Sequence, residues 1–254
     1  MIDIFAKPLG VLLKFIFDTL LRLNLDFKSL SAYSLAIVVT TIIFKFLLLP
    51  LTLRQMKSMK TMQEIQPKVQ ELQKKYKNDP QTLNVKTMEL YKEHKANPFG
   101  GCFPLLIQFP IIIAYFRAMQ SPVPYVFNEQ AVYEGINRSF LWIKDIGLSP
   151  GTMIDGVMNG LSIAGYNIPI LAIIAAATTY LSSKMMTATQ TTAQDSQAQS
   201  TQKTMNIMMP IFILWIGSKY AAGLTLYWTI SNIFQIVQQY FTNRSIGKIK
   251  EELK

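Results

Sequence analysis

The chain is poor in the residue types that build disulfides, metal sites and catalytic triads. Its 254 residues include one cysteine, Cys102, and one histidine, His94. A single cysteine excludes a disulfide within the chain, and a single histidine argues against a histidine-rich metal site or a histidine-based triad. Only 16% of the residues are charged, so the places where charge is missing become informative.

Charged residues are absent from long, uninterrupted stretches. Five stretches carry at most one charge each: residues 35–53, 96–116, 156–183, 204–218 and 220–243. A helix rises about 1.5 Å per residue, so crossing a ~30 Å hydrocarbon core takes roughly twenty apolar residues. The fourth stretch is short, and snorkelling lysines or a thinned bilayer would make up its length. A soluble protein could bury one such helix but not five, so we predict an all-α polytopic membrane protein with five transmembrane helices.

The charged segments between these stretches set the predicted order and orientation. Residues 54–98 hold ten basic and five acidic residues, whereas residues 120–155 hold two basic and four acidic. The positive-inside rule places the first segment and the basic tail in the cytoplasm, so the N-terminus lies outside. The predicted segments are an outer interfacial amphipathic helix (1–33), a first span (34–53), a cytoplasmic helical hairpin (54–98), a second span (99–119), an external segment (120–165), a third span (166–186), a cytoplasmic loop (187–204), a fourth span (205–219), a fifth span (223–242) and a cytoplasmic tail (243–254).

The predicted hairpin is rich in residues that favour helices, and its turn is marked by Asn78, Asp79 and Pro80. Pro67 predicts that the helix leaving the membrane ends near Gln66 and restarts. A solvated charged linker is the alternative. Just beyond the first span, methionines recur at i, i+3 and i+6 and form a stripe. The stripe is interpreted either as plain packing or as a substrate-entry surface that accepts varied apolar partners. The stripe consists of Met56, Met59 and Met62.

The net charge of +10 suggests a polyanionic partner, either nucleic acid or an acidic membrane surface. The basic surface of the hairpin fits anionic lipid head groups or ribosomal RNA. Because only two aromatic residues, Tyr76 and Tyr91, stand among its charges, it does not have the pattern of a nucleic-acid-binding module, and we expect no DNA partner.

Lys45 is the most informative single residue, because it sits eleventh in the nineteen-residue stretch 35–53. A lysine at mid-span costs roughly 2.5–3.5 kcal/mol on insertion scales, which makes a functional role the default hypothesis. The alternative is a lysine that snorkels to the cytoplasmic head groups. The predicted spans offer no Asp or Glu to pair with it. That absence argues against a proton- or cation-coupled transporter and leaves water or an acidic guest as the partner.

Two polar stripes accompany this lysine. Thr41, Lys45 and Thr52 share one face of the first span. The last span carries a longer stripe, consisting of Trp228, Asn232, Gln235 and Gln239. Polar side chains in lipid must face other helices or water. Amides also join helices by hydrogen bonds, so the second stripe predicts either helix–helix contacts or one wall of a hydrated cavity.

Several motifs resemble the YidC-type membrane protein insertases, the family that includes the mitochondrial Oxa and chloroplast Albino proteins. The longest is NPFGGCFPLLIQFP at residues 97–110. TTIIFKFLLLPLT (40–52) and GLTLYWTISNIFQIVQQ (223–239) resemble the first and last spans of that family. QPKVQELQKKY (66–76) and FLWIKDI (140–146) also fit. The resemblance covers residues from about 35 to 245 and predicts a Gram-positive-like form without a large extracytoplasmic domain.

The resemblance implies five spans that enclose a hydrophilic groove, open to the cytoplasm and closed outside, in a bacterial plasma membrane. It assigns to Lys45 the attraction of acidic substrate segments. The family residue is usually Arg, and Lys lacks its planar bidentate fork. Tyr227 and Trp228 correspond to an aromatic pair along which substrates slide. The implied activity is insertion and folding of newly made membrane proteins, without covalent chemistry, cofactor or metal. Membrane lipids, the ribosome and the Sec translocase are further candidate partners.

A small ion channel or transporter, with the groove as its permeation path, is the rival function. The missing carboxylates and the lack of an internal repeat argue against it.

Overall fold

The computed structural model describes residues 3–94, 96, 103–187 and 196–252, and it is mostly helical. The helices are α1 (Asp3–Arg22), α2 (Ala32–Lys75), α3 (Pro80–Glu93), α4 (Phe103–Gln120), α5 (Gln130–Gly135), α6 (Ile170–Thr187), α7 (Ser196–Lys219) and α8 (Ala222–Glu252). A π-helical turn, Val123–Phe127, joins α4 to α5. The predominance of helix agrees with the predicted fold class at this coarse level.

One helix, α2, runs unbroken from the apolar stretch into the charged segment, past both Pro50 and Pro67. The prediction that the helix ends near Gln66 is therefore wrong. A proline inside a helix removes one hydrogen bond and crowds the preceding turn. Here Pro67 is exposed, while Ile65 and Val69 on the opposite side are buried where α3 packs against α2. This packing holds the helix together across the proline.

The reversal between α2 and α3 is fixed by an N-cap. Asp79 accepts hydrogen bonds from the Thr82 backbone N–H (3.0 Å) and hydroxyl (2.5 Å), and Pro80 occupies the first turn of α3, where its missing N–H costs nothing. These hydrogen bonds, led by that from the Thr82 hydroxyl, lower the pKa of the Asp79 carboxyl. At the other end of α3, His94 Nδ1 donates to the Leu90 carbonyl (3.1 Å), so Nε2 accepts from the Lys68 ammonium of α2 (2.9 Å).

The segment between α5 and α6 forms two short antiparallel hairpins, which the all-α prediction missed. Strand β1 (Met153–Ile154) pairs with β2 (Val157–Met158), and β3 (Leu161–Ile163) pairs with β4 (Tyr166–Ile168). Each pair is only two or three residues long, too short for the alternating pattern of a strand to be recognised. Asn159 lies between the hairpins and is fully buried, and its amide donates to three backbone carbonyls, those of Asp145, Leu148 and Ser149.

Helix boundaries differ from the predicted segments at several points. Strand β4 occupies the start of the predicted third span, so α6 begins at Ile170 rather than residue 166. Helix α7 begins at Ser196, inside the predicted loop 187–204, and α8 continues through Glu252 into the predicted tail. Among the described residues, α2 alone is long and apolar enough to cross a membrane by length and hydropathy. Ile170–Met186 and Asn206–Lys219 are shorter apolar helical stretches.

The hydrophobic core lies at the end of the bundle where α1 packs. Helix α1 is amphipathic, as predicted, and packs against α2, α4 and the π-helical turn. Its buried face consists of Ala6, Leu9, Leu13, Ile16 and Phe17. Phe17, Tyr33 and Phe127 meet edge to face, with ring centroids 5.3 to 6.3 Å apart. Tyr115, Met119, Leu226 and Tyr227 extend this core into α4 and α8.

The fit of α1 depends on one glycine. A Cβ added at Gly10 would lie 1.9 Å from the Tyr125 carbonyl oxygen and 2.7 Å from its carbon. Both are backbone atoms, so the helix and the π-helical turn would have to separate. We expect Gly10→Ala to lower the free energy of unfolding in detergent by about 1–3 kcal/mol, the usual range for overpacking, measured as a shift in the thermal midpoint.

Gly135→Ala is the matched control, because a Cβ there meets nothing within 4 Å. Equal midpoints for the two variants would show that α1 does not pack against the turn as described.

Candidate functional site

The three predicted polar residues of α2 lie at different depths. Thr41 is buried, whereas Lys45 and Thr52 are half-buried. Residues of α2 before this point, such as Tyr33 and Ile37, are fully enclosed by the core. The polar face of α2 is therefore buried at Thr41 and more exposed at Lys45 and Thr52.

Thr41 belongs to a connected polar and aromatic cluster that joins three helices. Its hydroxyl is hydrogen-bonded to the Ile37 carbonyl (2.7 Å) and to the Tyr115 hydroxyl of α4 (3.2 Å). The Tyr115 ring stacks on that of Tyr227 in α8, with centroids 3.9 Å apart and an interplanar angle of 18°. The Gln108 amide of α4 donates to the Tyr227 hydroxyl. Tyr227 is thus a buried member of the helix contact rather than an exposed sliding surface.

Lys45 lies one turn beyond this cluster. Within the part of the chain that the structure describes, its ammonium has neither an ion-pair partner nor a hydrogen-bond partner. Phe46 beside it packs edge to face on Phe234 of α8, at 5.2 Å between centroids, so α8 lies beside α2 at this level. The ammonium therefore belongs to a half-buried side chain next to a neighbouring helix.

The predicted stripe on α8 divides into two kinds of residue. Asn232 is buried and donates to Thr179 (2.7 Å), Thr178 (3.3 Å) and the Ala175 carbonyl (3.4 Å), all on α6. Gln235 donates to the Met186 sulfur at 3.3 Å. These two residues join α8 to α6. For them the structure has the helix–helix contacts that were one of the two interpretations of this stripe. Trp228 is half-buried.

Gln239, the last predicted residue of the stripe, behaves differently. It is 7% exposed, yet its amide oxygen has no hydrogen-bond partner among the described residues. A buried amide oxygen without a partner is costly unless water or a guest supplies a donor.

Met56, the first residue of the methionine stripe, lies beside α8. The Gln238 amide of α8 donates to the Thr52 hydroxyl at 2.8 Å and approaches the Met56 sulfur at 3.5 Å. Met56, Met59 and Met62 are all half-buried. The contact with Gln238 accounts for Met56, whereas Met59 and Met62 keep a smaller exposed part that could meet solvent or a guest.

Gln55 is a polar residue of this region that sequence reasoning missed. It is 6% exposed, and both its amide nitrogen and its amide oxygen lack a hydrogen-bond partner among the described residues. It lies fourteen residues after Thr41, so it continues the face of Thr41, Lys45 and Thr52 by one further turn. The helical spacing from Thr41 could have identified Gln55 from the sequence. The residue lies beyond the apolar stretch, however, in a segment where polar residues are common.

At the opposite end of the bundle, which the predicted topology places outside, the segment between α5 and α6 contacts the start of α8. The backbone N–H of Gly223 donates to the Ile146 carbonyl (2.7 Å) and that of Ala222 to Leu148 (3.0 Å), so the segment is tied to the start of α8. The Arg138 guanidinium pairs with Asp145 at 2.9 Å and lies 4.5 Å from the centre of the Tyr133 ring. Burial of Tyr133, followed by the nearby charge of Asp145, raises the pKa of its phenol.

A cavity of about 430 Å³ lies elsewhere, between α6 and α7. Its lining is apolar and includes Ala176, Ala177 and Pro210. None of the predicted polar residues lines it, so it is a feature of the outer surface of the bundle rather than part of the site. In the described ranges, no group of three or more His, Cys, Asp or Glu residues is placed to hold a metal ion.

Residues 97–102 of the glycine-rich motif lie outside the described residues, and α4 begins immediately after them.

Comparison with known proteins matches residues 25–250 to the family described as "60Kd inner membrane protein". Similar proteins include the membrane protein insertase YidC of Caldanaerobacter subterraneus subsp. tengcongensis, 41% identical over 87% of this chain and 89% of that protein. The insertase YidC of Clostridium tetani is 38% identical over 84% of this chain and 82% of that protein. The insertase YidC of Clostridium perfringens is 37% identical over 98% of this chain and 97% of that protein.

Asn232 and Gln239 give opposite expectations for stability. Asn232→Leu removes three contacts to α6, and we expect it to lower the free energy of unfolding in detergent by about 1–2 kcal/mol. Gln239→Leu removes an unpartnered buried oxygen, and we expect no loss or a small gain. Thermal midpoints of the two variants, which carry the same chemical change on the same helix, provide the measurement. A loss at Gln239 as large as that at Asn232 would mean that Gln239 is also a helix-contact residue.

Proposed function

Because the chain belongs to the family of 60 kDa inner membrane proteins that includes the YidC insertases, we infer that it is a bacterial membrane protein insertase that acts on newly made membrane proteins. That family is not one of catalytic enzymes, and we propose no covalent step, cofactor or metal for it here.

We propose that five helical segments cross the membrane: the first half of α2, then α4, α6, α7 and the first part of α8. The charge distribution supports an outer N-terminus and a cytoplasmic C-terminus. The α2–α3 hairpin then lies in the cytoplasm. Helix α1 lies in the outer interface, since its face opposite the core exposes large apolar side chains, Ile4, Val11 and Phe15.

The proposed active element is a groove between α2 and α8, closed outside and open towards the cytoplasm. Closure is supported by the core around Tyr33, Tyr115 and Tyr227 and by the external segment tied to α8. Opening is supported by the increase in exposure along α2 beyond Thr41. A polar substrate segment would enter from the cytoplasm and stop beneath the packed outer end.

Hydration of this groove is supported by the polar atoms that lack partners. Gln55 and Gln239 lie on α2 and α8, and each is buried with an amide oxygen that no described residue satisfies. Gln55 lies just beyond the proposed first span and Gln239 near the cytoplasmic end of the last one, where water is the natural donor for such groups. A wet groove lowers the desolvation cost for a hydrophilic segment that crosses part of the bilayer.

The single observation that carries the mechanism is the Lys45 ammonium, half-buried and without an ion-pair partner in the described ranges. Such a charge attracts an acidic group more strongly than an exposed lysine does, because the surrounding dielectric is lower. We propose that it attracts acidic residues in the substrate's translocated segment. The substrate's own apolar helix then partitions into lipid, which drives insertion.

The partners we propose beyond the substrate are lipids, the ribosome and the Sec translocase. In this proposal, the hairpin and the partly exposed methionines Met59 and Met62 receive a substrate that leaves the ribosome. The basic residues of the hairpin suit anionic head groups or ribosomal RNA.

A Lys45 series tests the electrostatic role. We expect Lys45→Arg to insert a single-span substrate with an acidic external tail at the wild-type rate, since the positive charge remains. We expect Lys45→Gln to slow insertion by about tenfold, corresponding to a lost attraction of roughly 1.4 kcal/mol, and Lys45→Glu to slow it further. Protease protection of the tail in proteoliposomes measures the rate.

Lys219→Gln is the control variant, since it removes the same charge from an exposed position at the far end of α7. A substrate whose tail lacks acidic residues is the control substrate and should respond weakly to all four changes. Equal insertion by Lys45→Gln and Lys45→Arg would contradict the electrostatic role. Sustained ion flux through the same liposomes would instead favour the channel alternative.

A further inference from the structure

The two external β-hairpins have the same turn geometry but different turn residues. The β1–β2 turn is Asp155–Gly156, with φ angles of +49° and +76°, and the β3–β4 turn is Ala164–Gly165, with φ angles of +51° and +81°. A turn with two successive positive φ angles favours Asn or Asp at its first position, because their side chains tolerate the left-handed region and hydrogen-bond locally. Asp155 follows this preference, and Ala164 does not.

Alanine at such a position accepts steric strain without a compensating hydrogen bond. In water, Asn or Asp would be the better residue. The preference changes when the turn leaves water, because an Asp carboxylate or Asn amide then loses its hydration, whereas a methyl group does not. The choice of Ala164 therefore indicates a less aqueous environment for the second turn than for the first.

The β3–β4 hairpin also turns its apolar face outward. The strand register places Leu161, Ile163, Tyr166 and Ile168 on one face. Ile163 is 57% exposed and Tyr166 is 78% exposed. On the other face, the Asn167 side chain lies against Gly151 and Gly160, and Ser162 is exposed. A hairpin on a water-soluble surface is expected to show the reverse arrangement, with its apolar face against the protein.

The position of the hairpin in the chain identifies what covers this face. Strand β4 ends at Ile168, and α6 begins two residues later at Ile170. The turn is therefore only about 16 Å of extended chain from the start of α6. Residues 156–183 contain no charge, so nothing in the hairpin opposes entry into the head-group region, and tyrosine favours that region.

We propose that the β3–β4 hairpin lies in the outer interface of the bilayer, with Ile163 and Tyr166 at the boundary between head groups and acyl chains. The covering partner is lipid, which the hairpin meets where α6 enters the membrane. This proposal rests on the proposed placement of α6 as a span. The hairpin would anchor the outer end of α6 and limit its movement along the membrane normal. Helix α1, which precedes α2 and also lies in the proposed outer interface, would do the same for α2.

Site-specific fluorescence tests the proposal. In a Cys102→Ser background, single cysteines replace Ile163, Asp155 or Ile174 and carry an environment-sensitive dye, with the protein in liposomes. Position 174 is a partly exposed residue of α6 that reports on the span itself. We expect lipids spin-labelled near the head group to quench the dye at 163 at least threefold more than at 155. Aqueous iodide should show the reverse order.

The two levels of the proposal fail differently. Iodide quenching at 174 as strong as at 155 would overturn the placement of α6. If the dye at 174 is protected from iodide, but the dyes at 163 and 155 are quenched equally by spin-labelled lipid or by iodide, only the hairpin proposal is overturned.

A second measurement avoids labels. In water, Asp and Asn at the first turn position are nearly equivalent, whereas at a membrane interface the charged residue is disfavoured. We expect Ala164→Asp to lower the thermal midpoint in nanodiscs by several degrees relative to Ala164→Asn. At the first turn, Asp155→Asn should leave the midpoint unchanged. An Asp–Asn difference at 164 no larger than that at 155 would contradict the proposal.

Discussion

The need to give every polar group inside a hydrocarbon-surrounded bundle a partner shapes this protein from one end to the other. Towards the packed end, part of this need is met within the chain, where Thr41 is hydrogen-bonded to Tyr115 and Gln108 donates to Tyr227, although the buried Thr40 hydroxyl has no partner among the described residues. Further along α2, Lys45 lies one turn beyond Thr41 and Gln55 almost four turns beyond it, and both lack partners among the described residues. The proposed groove begins where polar groups of α2 lose their partners within the chain. There, water or a substrate supplies the missing hydrogen-bond or ion-pair partner.

Closure of the outer end depends on close packing rather than on polar contacts alone. Helix α1 reaches its place because Gly10 lies against the Tyr125 backbone, and the aromatic rings of Phe17, Tyr33 and Phe127 fill the space behind it. The external segment then ties its own backbone to the first turn of α8. In the proposed mechanism, a substrate segment that enters from the other side would stop at this packed end, because close-packed protein interiors do not yield gradually.

The length of α2 connects the groove to the charged hairpin. Its 44 residues form a rod of about 66 Å, and the face that carries Lys45 and Gln55 continues into Met56 and Met59. A guest that contacts the methionines would therefore remain on the same face as it approaches the lysine. The continuity of the helix through Pro67 matters here, since a break would turn the two halves of this face in different directions.

Composition and periodicity were sufficient for the predominance of helix, the amphipathic α1 and the turn before Pro80, and the resemblance of several motifs pointed to the family. These features depend on local preferences or on long charge-free stretches, which one sequence displays directly. The same information also predicted a break at Pro67 that does not exist, because the packing of α3 against Ile65 and Val69 outweighs the local cost of a proline.

Only the tertiary structure decided which polar residues pair with each other and which do not. Asn232, Gln235 and Gln239 form one stripe in the sequence, yet the first two contact α6 and the third retains an unpartnered oxygen. The hydrogen bond from Gln238 to Thr52 and the burial of Gln55 depend on how the helices pack. Helical spacing defines the face on which a side chain lies, but the partner on that face comes from a distant part of the chain. Whether a buried amide holds helices together or faces a groove is therefore a property of the packed bundle.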